Sequence, residues 1–596
     1  MEYNCQTPDY ATLIAEARAL DTSACTRDLR IAVLADFTTH QLVAVMQALA
    51  ARRGVRLHVY EAAYDSIESE ILDAASGLYA FAPDCVALLA ATPKLKGRYY
   101  AAADPAAFAG QAVARFAGLW DGLRAHCPAT IIQSTYVQPA ERAFGQYEAL
   151  VPHSLGAAVR EVNRGLAEAA RARRGVLLCD ADFLAAERGR AAWRDERLWA
   201  LAKLPCTPDC LPDLAGGVLD AALAAAGAFV KCVVLDLDNT LWGGVIGDDG
   251  LAGIALGGFD EGEAFVAFQQ FLLSLKRRGI LLAVVSKNEE AAARLPFREH
   301  PDMVLKEEDI AVFLANWDNK ADNIRRVQQV LNIGLDAMVF LDDNPFERQL
   351  VRAHVPGVIV PELPEDPVDY LPALAALNLF ETASHSDADA ARAGQYREEA
   401  SRQQAQASFT NIDDYLRSLG MTARLERFAP RSLPRIAQLI QRSNQFNLTT
   451  RRHSEEACAR LMADAGHAPL TITLADTFGD YGLISVIVLA LQGDTVEILD
   501  YLMSCRVLKR GVEDLAMNAI FAFAAQNGAR QVVGRYLPTA KNRMVEGFYA
   551  GFGFTCIDSA AHEAVWAHEV ASWRPRAHFI HAEAQEWGAA PQAVAG

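Results

Sequence analysis

The sequence predicts an α/β protein of several domains, with parallel sheets in its first two thirds and a mixed α+β domain after them. Its 596 residues exceed what a single hydrophobic core supports. Between about residues 30 and 366, short apolar runs alternate with amphipathic helical stretches, a pattern typical of parallel strands connected by helices. After residue 411 several strand runs follow one another before one long helix, which indicates an α+β arrangement.

The predicted elements fall into three domains. The first domain (1–220) should contain a flavodoxin-like parallel sheet with strands at 30–35, 56–60, 85–90, 130–133 and 176–179. The second (228–366) begins with an Asp-rich strand, followed by strands 280–286 and 337–341 and by helices near 261–278, 319–332 and 346–354. A helical connector (367–410) leads to the third domain (411–575), with strands 470–474, 482–491 and 496–501, a helix near 511–526, and a tail at 576–596.

The composition excludes several classes of protein. Apolar residues make up 52% and charged residues 22%, which is typical of a folded globular chain. A net charge of −18 argues against nucleic acid or an anionic membrane as a partner of the whole protein. The 11 cysteines are scattered among apolar runs, and the amino terminus has no basic segment followed by an apolar one. We therefore expect a soluble cytoplasmic protein with reduced thiols.

Two carboxylates follow an apolar strand at the start of the second domain. The run Val233-Val234-Leu235 delivers Asp236 and Asp238, two positions apart, to the end of that strand. Side chains at i and i+2 share one face of a strand, so both carboxylates can approach one substrate atom. One could act as a nucleophile while the other handles protons. An Asx turn that merely closes a strand is the alternative interpretation.

The segment from Asp236 to Thr240 resembles the first motif of the haloacid dehalogenase (HAD) superfamily, D-x-D-x-T. The other motifs of that family follow in order along the chain, at Ser286, at Lys320 and at the acidic pair Asp342-Asp343. The resemblance implies a Rossmannoid phosphatase domain in which Asp236 forms an aspartyl-phosphate and Asp238 serves as acid and base. The residues that we expect to bind phosphate are Thr240, Ser286, Lys287, Asn288 and Lys320. Lys306 competes with Lys320 for the lysine role, but three acidic residues follow it and could pair with it.

A divalent cation is expected at the same place. Two neighbouring carboxylates repel each other, and oxygen ligands beside a phosphate favour Mg²⁺. The resemblance assigns this ion to Asp236, Asp342, Asp343 and Asp238, the last through its backbone carbonyl.

The third domain carries a basic turn at the start of a helix. Arg506, Arg510 and Gly511 stand where a helix N-terminus could hold an anion such as a pyrophosphate. With Asn542 and Tyr549 further on, the segment resembles the Gcn5-related N-acetyltransferases (GNAT), although a single glycine departs from that pattern. The resemblance implies that these residues bind an acyl group or a pantetheine arm.

A cysteine precedes this turn directly. A thiol at Cys505, beside an arginine and near a helix N-terminus, would carry more thiolate and could act as a nucleophile. A buried structural cysteine is the alternative. His453 is the nearest plausible base, and a solvated loop histidine is equally compatible with the pattern. Between residues 501 and 550 there are seven Lys and Arg against three Asp and Glu, which predicts an acidic docking partner or a plain solvated face.

The first domain resembles the SGNH-hydrolase fold. Its first strand ends in Ala35-Asp36-Phe37-Thr38-Thr39, where that family has a Gly-Asp-Ser nucleophile motif. We therefore expect a degenerate, non-hydrolytic domain. The segment from Trp193 to Lys203 alternates aromatic and charged residues, and we expect it to contact a substrate or to pack against the next domain.

Nearly the whole chain resembles the FkbH-like proteins. The strings that carry this resemblance are 236–244, 286–288, 340–348 (FLDDNPFER), 443–449 and 504–513. The resemblance implies a glyceryl transferase/phosphatase of polyketide assembly that takes the acyl group of 1,3-bisphosphoglycerate, a phosphoglycerate-type acyl phosphate, and removes its phosphate. The glyceryl group would then form a thioester on the phosphopantetheine arm of an acyl carrier protein. A phosphatase for a free phosphorylated metabolite with an accessory acyl-binding domain is the alternative, and a non-catalytic docking scaffold is a third.

Overall fold

The computed structural model describes residues 8–383, 411–443, 446–451, 453–504, 507–539, 542–560 and 563–583. The chain forms two compact units, Met1–Ala393 and Gly394–Gly596. Both predicted parallel sheets lie in the first unit, and the predicted boundary between domains 1–220 and 228–366 within it stays a prediction. Most of the predicted connector lies outside the described residues.

The first sheet is parallel, with strand order β2-β1-β3-β4-β5. Its strands are β1 Arg27–Ala35, β2 Val55–Glu61, β3 Cys85–Leu89, β4 Thr130–Ser134 and β5 Val176–Cys179. Its helices are α1 Tyr10–Arg18, α2 His40–Arg52, α3 Ile67–Leu72, α4 Gly77–Phe81, α5 Thr92–Ala101, α6 Phe108–His126, α7 Leu155–Arg171, α8 Ala181–Arg188, α9 Arg190–Trp193, α10 Glu196–Ala202 and α11 Leu211–Ala225.

Strand β1, which lies between β2 and β3, is apolar on both faces because helices cover both. Ile31 and Val33 of β1 belong to one buried cluster, which includes α2 and α11 residues. Ala32 and Leu34 belong to another, which includes α6 and α7 residues. A continuous apolar run is what a strand buried on two faces requires.

The second sheet has strand order β8-β7-β6-β9 and is also parallel. Its strands are β6 Cys232–Leu235, β7 Leu281–Ser286, β8 Ile310–Ala315 and β9 Met338–Leu341. Its helices are α12 Ile246–Gly253, α13 Glu261–Arg277, α14 Glu290–Glu299, α15 Lys320–Leu331, α16 Pro345–His354 and α17 Tyr370–Ala376. The Asp-rich strand β6 lies between β7 and β9, so the carboxyl ends of these three strands meet at one edge.

The second unit contains a mixed sheet with strand order β15-β16-β14-β13-β12-β11-β10-β17. Its strands are β10 Thr422–Arg427, β11 His467–Asp476, β12 Gly479–Gln492, β13 Thr495–Met503, β14 Gln531–Tyr536, β15 Thr555–Ala560, β16 Glu563–Glu569 and β17 His581–Glu583. Its helices are α18 Ile412–Ser418, α19 Leu433–Arg442, α20 Glu455–Ala463, α21 Val512–Gln526 and α22 Phe548–Gly551.

The predicted fold class, a multi-domain α/β architecture, is confirmed. The long helix predicted near 511–526 is α21, while β8, β10 and β14 to β17 have no counterpart among the predicted strands. Of the predicted tail, residues 581–583 form β17 against β10, and residues 584–596 lie outside the described part. Across the described ranges, no helix has both the length and the apolarity needed to cross a membrane.

Candidate active site

The carboxyl edge of the second sheet gathers the charged side chains of the site. Asp236 directly follows β6, Ser286 ends β7, and Asp342 directly follows β9. Lys320 is the first residue of α15, whose preceding residue Asn319 caps the helix by accepting a hydrogen bond from the Ala321 N–H. This cap fixes the direction in which the helix begins, and therefore where Lys320 lies.

Lys320 forms ion pairs with two carboxylates at once. Its Nζ lies 2.8 Å from Asp236 Oδ2 and 2.6 Å from Asp342 Oδ2. All three side chains are buried. Burial alone lowers the pKa of Lys320, but the charges of the two carboxylates and their hydrogen bonds outweigh it and raise the pKa above its ordinary value. The lysine therefore stays protonated and holds positive charge between the carboxylates.

The neighbouring carboxylates carry more negative charge than the single positive charge of Lys320 can balance. Burial raises the pKa of Asp342 to about 7, the neighbouring Asp236 adds to the rise, and Lys320 opposes it. The pKa of Asp343 is also raised, first by burial and then by Asp236. One atom from each of Asp236, Asp342 and Asp343 falls within 4.8 Å of the others. Such a set of hard oxygen ligands suits a divalent cation.

Asp236 provides a further sign of a missing cation or substrate. Its Oδ1 is buried and, among the described residues, accepts no hydrogen bond. A buried carboxylate oxygen without a partner is costly, so such an atom calls for an explanation in a bound ion or ligand. The three carboxylates, with the unpartnered Oδ1 of Asp236 among their oxygens, therefore fit a Mg²⁺ ion. The Asp238 carboxylate is not part of this group in the described chain, and metal binding by its backbone carbonyl stays a prediction.

Asp238 is held in place by three donors. Its Oδ1 accepts hydrogen bonds from Trp242 Nε1 at 2.9 Å and from the Ile246 N–H at 3.1 Å. Its Oδ2 accepts one from Asn288 Nδ2 at 2.8 Å, and the same amide lies 3.3 Å from Ser286 Oγ. A carboxylate has about four acceptor sites, so one lone pair remains that can carry a proton for transfer to a leaving group.

Thr240 connects the first motif to the acidic pair. Its buried hydroxyl accepts a hydrogen bond from the Asp343 N–H at 3.2 Å and lies 3.3 Å from Asp343 Oδ1. Thr240 therefore orients Asp343, and phosphate binding by Thr240 stays a prediction. Lys287 pairs with Glu347 of α16 at 2.6 Å, so its amine is engaged with a carboxylate in this structure.

Two functional neighbours were missed by the sequence analysis. Arg348 donates to the backbone carbonyls of Asp342 (2.8 Å) and Asp343 (2.6 Å) and also to Glu362, which fixes the acidic loop. The Tyr370 hydroxyl donates to the Asn239 carbonyl at 2.9 Å. Both contacts are made to main-chain oxygens, which leave no side-chain pattern in the sequence. Lys306 donates instead to the Met303 carbonyl at 2.8 Å, so it does not compete with Lys320.

In the second unit, Cys505 and Arg506 lie outside the described residues, and their predicted roles stay predictions. His453 is described, and its Nε2 lies 2.8 Å from Asp500 Oδ2. Asp500 is buried in β13, and its Oδ1 accepts a hydrogen bond from Thr449 Oγ1 at 2.7 Å. A buried carboxylate therefore orients the imidazole, as in sites where histidine exchanges protons.

The predicted basic turn is partly neutralised within the fold. Arg510 donates to the Tyr481 hydroxyl and lies 3.9 Å from Asp476. Gly511 has a φ of 87° and precedes α21 directly, and a Cβ there would meet His578 at 3.2 Å, so glycine is required by both conformation and space. Elsewhere, Arg535 pairs with two glutamates, which reduces the free positive charge predicted for this region.

Asn542 and Tyr549 are both buried in the core of the second unit. The Asn542 amide donates to the carbonyls of Asn447 and Leu537 and accepts from the N–H and hydroxyl of Thr539. Its side chain therefore connects the segment at Asn447 to residues 537–539, which follow β14. Tyr549 packs against Gly534, where a Cβ would meet the ring at 2.2 Å. Binding of an acyl or pantetheine group by these two residues stays a prediction.

Comparison with known proteins gives similarities for both units. Residues 30–222 match the family described as FkbH, N-terminal domain. The crystal structure of the N-terminal part of the protein BF1531 from Bacteroides fragilis, containing a phosphatase domain complexed with Mg, is 39% identical with a TM-score of 0.59. That similarity covers 63% of this chain and 100% of the other. No curated protein matches the chain.

Acetyltransferase structures match the C-terminal part with low identity. The ribosomal-protein-S18-alanine N-acetyltransferase from Escherichia coli is 11% identical over 25% of this chain and 94% of its own, with a TM-score of 0.21. The PaiA N-acetyltransferase from Thermoplasma acidophilum in complex with coenzyme A is 12% identical over 25% of this chain and 99% of its own, with a TM-score of 0.21.

Proposed function

The chain belongs to the FkbH-like family of phosphatases of the haloacid dehalogenase type, and we propose that it removes phosphate from a three-carbon acyl group and delivers that group to an acyl carrier protein. The acyl donor in this proposal is 1,3-bisphosphoglycerate, and the product is a glyceryl thioester on the carrier's phosphopantetheine arm. The phosphatase half is supported by geometry, and the transfer half by sequence resemblance.

One observation carries the phosphatase half. Among the described residues, Asp236 Oδ1 is buried and has no hydrogen-bond partner, so one nucleophilic oxygen remains available while Oδ2 is held by Lys320. A carboxylate attacks phosphorus at neutral pH without a base. The new bond joins Asp236 oxygen to phosphorus, the bond from phosphorus to the substrate oxygen breaks, and Asp238 donates a proton to that leaving oxygen.

The second half of the phosphatase reaction releases phosphate. Asp238 now accepts a proton from water, whose oxygen attacks phosphorus and breaks its bond to Asp236. Lys320 and Ser286 stabilise the negative charge on the phosphoryl oxygens, which is the main catalytic contribution in phosphoryl transfer. When bound at Asp236, Asp342 and Asp343, Mg²⁺ supplies further positive charge to those oxygens.

The chain around the site supports a large or tethered substrate. Between Asp238 and Ser286 the described structure contains only α12 and α13, and this stretch is too short for a domain that would close over the site. An uncovered site is compatible with a phosphate carried on a protein-bound thioester. Selection of the substrate would then depend on the loop from Trp242 to Val245 and on the surrounding surface.

The transfer half uses a thiol. In this proposal the Cys505 thiolate attacks the carbonyl carbon of the acyl phosphate, a carbon–sulfur bond forms, and the bond to the phosphate oxygen breaks. The pantetheine thiol of the carrier then takes the acyl group and regenerates Cys505. An oriented histidine in the same unit, His453 held by Asp500, supports this assignment because thiol transfer needs a proton acceptor.

Intact-mass measurement tests both halves together. The full chain is mixed with Mg²⁺, 1,3-bisphosphoglycerate and a carrier protein, and the masses of both proteins are followed over time. We expect a glyceryl carrier with the wild-type protein and a phosphorylated acyl adduct with Asp236→Asn. Cys505→Ala should abolish carrier loading and leave phosphate release from a small phosphate ester intact. Cys556→Ala is the matched control, because Cys556 is an exposed thiol in the same unit.

A second candidate is a phosphatase for a free phosphorylated metabolite. It is favoured by the fact that the described carboxylates, serine and lysine of the site all belong to the first unit, at the carboxyl edge of its second sheet. It predicts full turnover of phosphoglycerate without carrier protein and no effect of Cys505→Ala. Carrier-independent turnover at the carrier-dependent rate would contradict the transfer half while leaving the phosphatase half in place.

A further inference from the structure

A cavity lies at the carboxyl edge of the first sheet, apart from the phosphatase site. It has a volume of about 90 Å³ and is lined by residues of the segments that follow β1, β3, β4 and β5. The strand order β2-β1-β3 means that the chain direction across the sheet reverses between β1 and β3. In open parallel sheets, ligands bind in the crevice at such a reversal, outside the carboxyl ends of the strands.

The segment of alternating aromatic and charged residues forms part of the wall. Trp193 and Trp199 line the cavity together with Phe37, which directly follows the β1 end. Pro93 and Pro139 add further apolar surface. Trp193 is buried and belongs to the core cluster of this sheet, so the wall is rigid. A mostly apolar lining with few polar groups is typical of small-molecule sites.

Two hydrogen-bond donors beside the cavity have no acceptor. Arg194 Nη1 and Gln138 Nε2 are buried, and neither has a partner in the described residues. Both residues line the cavity. A buried donor without an acceptor is costly, so an acceptor from a ligand would relieve that cost after a small side-chain rotation. The pKa of Glu141 is lowered chiefly by its hydrogen bond from Lys96, and the charge of Arg194 already helps to lower it. An anionic ligand oxygen that accepts from Nη1 directly would form the stronger, charge-assisted hydrogen bond.

Most other polar groups of the cavity are engaged within the protein; the lining carboxylates include Glu196 and Asp195, and the latter accepts from the N–H groups of Arg197 and Leu198. Ser134 Oγ accepts from the Ala90 N–H at 2.9 Å. The Thr92 and Thr135 hydroxyls bond to the Val137 carbonyl (2.7 Å) and to Asp180 (2.8 Å). Glu141 and Lys96 of the lining form an ion pair with each other. The two threonine hydroxyls donate to these acceptors, and neither histidine nor cysteine is among the residues that line the cavity, which favours binding over hydrolysis.

We propose that this cavity binds a small organic carboxylate with an apolar body, whose carboxylate accepts hydrogen bonds from Arg194 and Gln138. A water-sized sphere, taken as the space of one non-hydrogen atom, needs roughly 10–15 Å³ of cavity volume. A cavity of about 90 Å³ therefore accommodates roughly six to nine non-hydrogen atoms. The apolar body would contact Phe37, Trp193 and Trp199. The site is independent of the phosphatase chemistry, because no residue of the carboxylate cluster lines it.

Benzoate is a suitable probe, since its size falls within this range, and benzamide is its neutral counterpart of the same shape. Binding to the full-length protein is measured by ligand-observed NMR and by isothermal titration calorimetry. We expect benzoate to bind and benzamide to bind at least about tenfold more weakly, as loss of a charge-assisted hydrogen bond predicts. Equal binding of the two, or no binding of benzoate, would overturn the proposal.

Variants test the residues. Arg194→Met keeps the aliphatic length and should weaken benzoate binding about tenfold to a hundredfold, while Mg²⁺-dependent phosphatase activity stays unchanged and reports correct folding. Arg197→Met is the matched control, because Arg197 is exposed on the same segment and does not line the cavity. Gln138→Leu should also weaken binding, which provides a second variant if Arg194→Met fails to fold. Unchanged affinity in both variants would contradict the assignment.

A competition experiment separates a carboxylate site from a general anion site. Inorganic phosphate should displace benzoate poorly, because it offers no apolar body to the aromatic wall. Displacement of benzoate by phosphate at equal concentration would overturn the proposed ligand class.

Discussion

Replacement of Lys320 by methionine should destabilise the protein and increase its response to Mg²⁺. The lysine pairs with Asp342 at 2.6 Å and with Asp236 at 2.8 Å, and all three groups are buried. Methionine fills a similar volume without charge, so two buried carboxylates lose their counter-ion. Breaking a buried ion pair in this way costs about 3–5 kcal/mol of unfolding free energy.

The response to Mg²⁺ separates this account from a purely structural lysine. Without Lys320, no cationic side chain among the described residues forms an ion pair with Asp236, Asp342 or Asp343, so Mg²⁺ should stabilise Lys320→Met more than it stabilises the wild type. Phosphatase kcat should nevertheless fall by about 10²–10³-fold, because a donor to the transferring phosphoryl oxygens is lost. Higher ion affinity together with lower activity is the diagnostic combination.

Urea unfolding followed by tryptophan fluorescence, in EDTA and in Mg²⁺, provides the assay for Lys320→Met. Lys306→Met is the matched control, because Lys306 donates only to the Met303 carbonyl and should change activity little. A loss of less than about 1 kcal/mol in EDTA would refute the reasoning, since exposed pairs are worth that little. Equal stabilisation of the variant and the wild type by Mg²⁺ would refute it as well.

Three further predictions follow from buried polar contacts. Burial raises the pKa of the Asp36 carboxyl from 3.8 to about 6. Its contribution to folding stability is therefore complete below pH 3.8 and is lost as pH rises through 6. In urea unfolding at pH 8, Asp36→Asn should be more stable than the wild type by about 3 kcal/mol, and this difference should vanish near pH 4. Arg348→Met should raise the Mg²⁺ concentration for half-maximal phosphatase activity by about 10- to 100-fold, while Arg352→Met, whose side chain bonds to Val360 and Glu362, should change it little. Thr240→Val should weaken Mg²⁺ activation because the Asp343 N–H loses its acceptor, and Thr240→Ser should restore it; equal titration curves for the two variants would contradict the role of the hydroxyl.

The central part of the site could be predicted because parallel strands converge. Asp236, Ser286 and Asp342 follow three strands that the sequence shows as apolar runs, and neighbouring parallel strands place such residues at one edge. The sequence favours Lys320 over Lys306 because three acidic residues follow Lys306 and could pair with it; in the structure Lys306 donates to the Met303 carbonyl instead.

The other features of the candidate sites could not be predicted, because they depend on contacts that the local sequence does not encode. Arg348 and Tyr370 act through backbone carbonyls, and the partner of His453 lies 47 residues away in β13. The saturated amide of Asn542 could not be distinguished from a free ligand, because one of its partners, the Asn447 carbonyl, lies 95 residues away along the chain. The unpartnered donors of the first sheet's cavity become visible only when the walls around them are in place.

The most direct test of the account is to find where the phosphoryl group goes. A single turnover of the full-length protein with Mg²⁺ and a phosphate monoester that carries no acyl phosphate is quenched in acid and digested. The phosphorylated peptide is then identified by mass spectrometry. The account predicts one phosphoryl group on Asp236 in the wild type and none in Asp236→Asn, which should also release no phosphate. Phosphate release by Asp236→Asn at the wild-type rate, or a phosphoryl group on another residue, would contradict it.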